Sequence, residues 1–185
     1  VPFSFGLKEK ALDARTGVQA SIGQAVREAF AYPSFLLLTA GYFVCGFQVV
    51  FIGVHLPSYL KDNGLGPEVA AYALALIGLF NVFGTYIAGS LGERLPKRYI
   101  LAAIYLLRAV AIAVFVLAPL TPASVYVFAS VIGFLWLSTV PPTNAIVAQI
   151  FGVKYLSMLS GFVFLSHQIG SFVGVWLGGK LYDTT

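Results

Sequence analysis

The sequence predicts an all-α membrane protein with five transmembrane helices. Of its 185 residues, 59% are hydrophobic and only 10% are charged, whereas a soluble domain carries roughly a quarter charged residues to cover its surface. The apolar stretches are continuous and do not alternate in polarity, which argues against the strands of a membrane barrel. Most of the outer surface is therefore expected to face lipid, and the bilayer is the first predicted partner.

Five stretches are long enough to cross a bilayer, which takes about 20 predominantly apolar residues. Four of them contain no Asp, Glu, Lys or Arg, and the third is interrupted by one charge, Arg108. The predicted spans are 35–60, 69–92, 99–118, 123–149 and 155–179.

The basic residues lie unevenly around these spans, which predicts an orientation. Eight of them lie before the first span or in the loops after the second and fourth, against two, Lys61 and Lys180, on the opposite side. The positive-inside rule makes the richer side cytoplasmic. We therefore expect 1–34 to be a cytoplasmic loop ending in a short interfacial helix over 21–32, and 35–185 to be the membrane bundle.

Several classes of function are disfavoured by what the chain contains. Cys45 is the one cysteine, so it makes neither an internal disulfide nor a structural zinc site, and it is predicted to be a small buried hydrophobe. No cofactor or metal site is predicted. The basic residues do not interleave with aromatics on a polar face, which argues against nucleic acid as a partner. His55 and His167 differ in depth, so no catalytic constellation is evident and an enzyme is not expected.

The loop after the second span carries the most specific motif in the chain. Residues 89–98 read Gly-Ser-Leu-Gly-Glu-Arg-Leu-Pro-Lys-Arg and resemble the Gly-x-x-x-Asp-Arg-x-Gly-Arg-Arg signature of the major facilitator superfamily, with Pro96 where that family usually has Gly. The resemblance implies helices 7–11 of a twelve-helix secondary transporter that works by alternating access. A further six-helix N-terminal half and a twelfth helix are then expected as partners.

The motif also has a physical interpretation of its own. Its glycine allows a neighbouring helix to approach closely, and its carboxylate can accept hydrogen bonds from basic groups or from a helix N-terminus of the other half. Such a contact would form in one conformation and break in the other. The alternative is that the basic residues only anchor the topology. The residues of this predicted latch are Gly89, Glu93, Arg94, Lys97 and Arg98.

A finer resemblance concerns the branch of monocarboxylate carriers and oxalate/formate antiporters. It rests on His55-Leu-Pro57, on Ser166-His167-Gln168 and on the Gly-Gly-x-x-Tyr-Asp sequence at 178–183. The resemblance implies a small organic anion, such as a monocarboxylate, as substrate. A coupled proton is a further candidate partner, and the expected location is the plasma membrane, the inner membrane of a bacterium. A non-transporting polytopic protein, either a receptor or an integral-membrane enzyme, is the alternative.

Arg108 is the most informative polar residue within a span. It follows Arg98 by ten residues, which places it about 15 Å into the membrane. A charge at that depth costs at least about 2.5–3.5 kcal/mol, so it is normally paired or faces a cavity. None of the five predicted spans contains Asp or Glu. Contact with an anionic substrate or gate, structural pairing and snorkelling to the interface all stay open.

Four further side chains fall at a similar depth, roughly 18–20 Å from the ends of their spans. Because transporter sites lie near the midplane, they join Arg108 as candidates for substrate binding or coupling, and the histidine could carry the coupled proton. For each amide alone, a helix–helix hydrogen bond is the competing explanation. The four are Gln48, Asn81, Trp136 and His167.

Glycines and prolines in the last two spans predict packing faces or hinges. Gly170, Gly174 and Gly178 are spaced by four and form one smooth helix face. Pro141 and Pro142 are expected to interrupt and kink the fourth span, because they remove backbone donors. Static packing and a hinge role are both open for these residues.

Overall fold

The computed structural model describes residues 21–184, which form seven α-helices. The predicted all-α fold and its five spans are confirmed: α2, α3, α4, α5 with α6, and α7 are each long and apolar enough to cross a membrane. The helices are α1 (Ile22–Phe30), α2 (Pro33–Asp62), α3 (Pro67–Arg94), α4 (Lys97–Leu117), α5 (Pro122–Leu135), α6 (Val140–Phe151) and, after a single 3₁₀ turn at Val153–Tyr155, α7 (Leu156–Thr184).

The N-terminal segment contains the short helix α1. It begins with a reciprocal cap in which Ser21 Oγ accepts from the Gln24 amide at 3.3 Å and Gln24 Oε1 accepts from the Ser21 amide at 2.9 Å. Ala25 and Ala29 bury one face of the helix. Residues 1–20, with the first three basic residues of the predicted cytoplasmic loop, lie outside the described part of the chain. The orientation and the interfacial position of α1 stay predictions.

Most of the spanning helices extend beyond the predicted runs, by up to roughly one and a half turns at the end of α7. Such runs mark where side chains leave the hydrocarbon, and the backbone stays helical into the headgroup region. In α2 the helix continues through Pro57 to Asp62. A proline removes one backbone donor and bends a helix without always ending it.

The fourth span is interrupted, as Pro141 and Pro142 predicted. The interruption lies between Leu135 and Val140, about one turn before the prolines. Each proline ring clashes with the carbonyl four residues earlier, so the helical path fails upstream of the prolines. The prolines themselves fit in the first turn of α6, where their missing N–H groups are not needed.

Two hydrophobic cores lie on either side of this interruption. The α5 core joins α5 to α3 and to the end of α2, and it consists of Leu56, Leu60, Val69, Ala73, Ile77, Val125, Phe128, Ala129 and Ile132. The α6 core joins α6 to α1 and to the starts of α2 and α7, and it consists of Ala25, Ala29, Phe35, Tyr42, Val147, Phe151, Tyr155, Leu159 and Val163.

Helices α2 and α7 pack together at backbone distance. A Cβ added at Gly170 or Gly174 would meet the backbone of Phe43 or Phe47, and one at Gly46 would meet the backbone of His167. A Cβ at Gly178 would meet the side chain of His55 on α2. The smooth glycine face predicted on the last span therefore lies against α2, as small residues do where membrane helices approach closely.

Candidate functional site

The interruption between α5 and α6 is the centre of the candidate site, and Arg108 of α4 lies against it. Its Nε donates to the Leu135 carbonyl at 3.1 Å, and its Nη2 donates to the carbonyls of Leu135 and Trp136. The side chain is only 1% exposed. The positive guanidinium thus occupies the negative end of the α5 dipole, a geometry that favours structural pairing.

Asn81 of α3 holds the other side of the interruption. Its Oδ1 accepts from the Leu137 amide at 3.0 Å and from Thr85 Oγ1 at 3.3 Å. Ser138 Oγ donates to the Phe134 carbonyl at 2.6 Å. Non-helical backbone at membrane depth is tolerated where its polar groups find partners, and here side chains of α3, α4 and the interruption itself supply them.

Cys45 of α2 connects this region to the last helix, a role that sequence reasoning missed. Its thiol accepts from Arg108 Nη1 at 3.1 Å and lies 3.5 Å from Thr139 Oγ1. The next residue, Gly46, packs against the backbone of His167 in the last helix. The signal that could have identified it is depth, because Cys45 follows Phe35 by the same ten residues that separate Arg108 from Arg98.

His167 faces the interior of the five-span bundle. It is 9% exposed, its Nδ1 lies 3.2 Å from Gln168 Oε1, and its ring centroid lies 5.3 Å from that of Tyr42. Because Gly46 packs against the backbone of His167, the structure places this histidine next to the segment of α2 that holds the Arg108–Cys45 contact. A role in proton coupling stays a prediction.

The two remaining predicted site residues lie at the margin of this cluster. Gln48 is one turn beyond Cys45 on α2, and its Oε1 is buried without a hydrogen-bond partner among the described residues. Trp136 contributes its carbonyl to Arg108, while its ring packs beside Gly53 of α2. Among the described residues, neither side chain makes a polar contact with Arg108, Cys45 or His167.

An open cleft of about 480 Å³ lies beside the interruption, on the side of α3. Asn81 uses its Oδ1 for the interruption, and its Nδ2 has no protein partner among the described residues. The other groups lining the cleft are uncharged, so ligand recognition there would rely on neutral donors and an apolar wall. The lining residues are Asn81, Val82, Thr85, Tyr86, Leu137 and Val140.

Comparison with known proteins identifies the family. The model of the Major Facilitator Superfamily matches residues 5–175. The chain belongs to the major facilitator superfamily. It is therefore an integral membrane protein of a transporter family, as the resemblance of the loop motif implied, and the family points to a transporter and away from an enzyme.

Members of the superfamily from distant organisms are similar to this chain. It is 26% identical over 160 residues to the uncharacterized MFS-type transporter YcxA of Bacillus subtilis strain 168, covering 80% of this chain and 37% of that protein. It is 21% identical over 159 residues to the MFS transporter asaE of Aspergillus flavus, covering 86% and 36%. Monocarboxylate transporter 12-B of Danio rerio is 25% identical over 157 residues, covering 83% and 33%. The chain spans about a third of the length of these relatives.

The superfamily motif lies where α3 ends and α4 begins. Glu93 and Arg94 are exposed in the last turn of α3, and Arg98 is exposed in the first turn of α4, with Lys97 half-buried before it. A Cβ at Gly89 would lie 3.9 Å from Pro141 Cβ, so α3 passes close to α6 here. Arg98 Nη2 donates to the hydroxyl of Tyr99 at 3.3 Å, and the latch stays a prediction.

Proposed function

We propose that this chain is part of a secondary active transporter that carries a small organic anion across a membrane by alternating access. One observation carries the proposal: a transmembrane helix interrupted at mid-depth, with polar side chains of neighbouring helices on its ends and an open cleft beside it. Discontinuous helices of this kind form the midplane binding sites of many transporters. The superfamily assignment supports the same mechanism.

The charge of Arg108 supports an anion as substrate. The predicted spans contain no Asp or Glu, so the buried guanidinium has no acidic partner within them. A charge in a medium of low polarity acts over a longer range than in water. Trp136, whose carbonyl binds Arg108, is adjacent in the chain to Leu137, which lines the cleft. We therefore propose that the charge of Arg108 makes the cleft more favourable for a carboxylate than for a cation.

The cleft supports a substrate with one polar end and a short apolar part. Asn81 Nδ2 and the hydroxyl of Tyr86 are donors for a carboxylate, and Val82, Leu137 and Val140 supply an apolar wall. A monocarboxylate has this form, and one similar protein is named a monocarboxylate transporter. His167 is the proposed carrier of a coupled proton.

The remaining parts of the proposal concern the rest of the protein. A six-helix N-terminal half would close the site from the other side, and the latch at Glu93 would contact it in one conformation. The membrane is proposed to be the plasma membrane, the inner membrane of a bacterium.

Uptake by the complete protein in liposomes tests the proposal. We expect saturable uptake of labelled monocarboxylates and little uptake of the matching neutral amides. Asn81→Asp keeps the acceptor for Leu137 but places a negative charge in the cleft, so KM for the anion should rise at least about tenfold. Asn63→Asp adds the same charge at the exposed end of α2 and is the control. Uptake of cations in place of carboxylates would overturn the substrate class, and no uptake of any solute would overturn transport.

A further inference from the structure

The interruption at 136–139 leaves backbone groups that must find partners at mid-membrane depth. The last carbonyls of any helix lack partners within the helix, and those of Leu135 and Trp136 end α5. With no water to bind them in hydrocarbon, such groups are tolerated only when protein supplies the donors. The interruption therefore depends on what donates to these two carbonyls.

Arg108 supplies these donors with its planar fork. Nε and Nη2 both reach the Leu135 carbonyl, and Nη2 also reaches that of Trp136. Nη1, on the far side of the fork, donates to Cys45 Sγ at 3.1 Å. All three nitrogens of one side chain are thus engaged, and the contacts join α4 to the end of α5 and to the middle of α2.

The packing around the interruption shows what these contacts control. Upstream, the chain is fixed to α3, because a Cβ at Gly84 or Gly133 would meet the backbone of Phe134 or Ile77. Downstream, α6 belongs to a different core, shared with α1 and the start of α7. The two halves of the fourth span, α5 and α6, are thus held by separate cores. The angle between them therefore depends on the contacts at the interruption.

We propose that Arg108 is a positioning residue that caps α5 and, through Cys45, ties the interruption to α2. It acts on transport by holding the fourth span in its interrupted form, and it does not touch the substrate. The inference rests on the proposed function only for its transport measurement. Its charge still contributes to the potential of the cleft, so a variant that keeps the charge separates the two effects.

Arg108→Lys is that variant. A lysine ammonium keeps the positive charge but is a point donor, and it lacks the fixed fork that reaches two carbonyls and a thiol at once. In the complete protein we expect kcat for carboxylate uptake to fall at least about tenfold while KM stays within about threefold. A substrate contact predicts the opposite pattern, with KM rising as the two-pronged grip on the carboxylate is lost.

The rate of alkylation of Cys45 reports on the structure around the interruption, and its measurement needs no substrate. In the wild type the thiol is 1% exposed and covered by Arg108. We expect Arg108→Lys to accelerate its alkylation by N-ethylmaleimide at least about tenfold, measured by mass spectrometry of the peptide that contains Cys45. Leu60→Ala destabilises the α5 core, about 20 Å along α2, and is the control for a general loss of stability. Its alkylation should change less than threefold.

The outcomes separate the inference from the proposed function. Faster alkylation with a lower kcat and an unchanged KM supports the positioning role. A raised KM with unchanged alkylation overturns it in favour of substrate contact, and wild-type behaviour in every measurement also overturns it. Faster alkylation in a protein that transports no carboxylate supports the structural role and refutes only the proposed function.

A second pair of variants keeps the test decisive if Arg108→Lys does not fold. Cys45→Ser retains an acceptor for Nη1, whereas Cys45→Ala removes the tie to α2 and leaves the carbonyl contacts of Arg108 in place. We expect the alanine variant to lose about threefold or more in kcat with KM unchanged, and the serine variant to restore at least half of the wild-type rate. Equal transport rates for the two variants would overturn the proposed role of the contact between Arg108 and Cys45.

Discussion

Alanine at Gly170 tests how closely α2 and α7 are packed. The new Cβ would meet the carbonyl oxygen of Phe43 and lie 2.9 Å from its carbonyl carbon and 3.2 Å from its Cα. Non-bonded carbons prefer roughly 3.5–4.0 Å, so the helices must separate by several tenths of an ångström or more. The contacts at Gly46 and Gly174 lie on the same interface and would be loosened together.

The magnitude follows from two opposing effects. Overpacking a close interface costs about 1–3 kcal/mol, while alanine gains up to about 1 kcal/mol over glycine in a helix. Gly161 of the same helix has nothing within 4 Å of an added Cβ, so Gly161→Ala receives the gain without the cost. We therefore expect Gly170→Ala to be about 2 kcal/mol less stable than Gly161→Ala, a factor of roughly 30 in the unfolding equilibrium.

Unfolding in mixed micelles of increasing sodium dodecyl sulfate content, followed by far-ultraviolet circular dichroism, measures this difference. The comparison between the two variants removes the common effect of helix propensity. If Gly170→Ala proved as stable as Gly161→Ala, the backbone contact between α2 and α7 would not exist in the membrane protein. The glycine spacing would then have no packing role.

Two further predictions concern orientation and completeness. In a Cys45→Ala background, single cysteines placed in the loop at 93–98 should resist a membrane-impermeant maleimide in intact cells. Single cysteines at 61–68 should react with it. The reverse labelling would show that the predicted orientation is wrong. Reconstituted alone in liposomes, the 185-residue chain should show no saturable uptake of carboxylates, because its five spans leave the α3 cleft open on one side. Saturable uptake would mean that a second half of the protein is not needed for transport.

Much of the fold was predictable because the bilayer imposes a local rule. Length and charge along the chain decide which segments cross it, so all five spans and the unusual depth of Arg108 followed from residue order. The loop motif at 89–98 likewise predicted the superfamily, because its residues are close together in sequence. The two prolines also predicted the break in the fourth span, which lies about one turn before them because a proline ring clashes with the carbonyl four residues earlier.

The partners of the polar residues were decided by tertiary structure. A span that is apolar all round gives no sign of which face meets protein, because lipid and protein interior are equally apolar. The sequence therefore placed Arg108, Asn81 and His167 at one depth but could not say that Arg108 binds the carbonyls of Leu135 and Trp136. Nor could it say that Arg108 also binds the thiol of Cys45 on α2. Depth depends on counting residues, whereas contact depends on how each helix is rotated against its neighbours, which only the packed bundle determines.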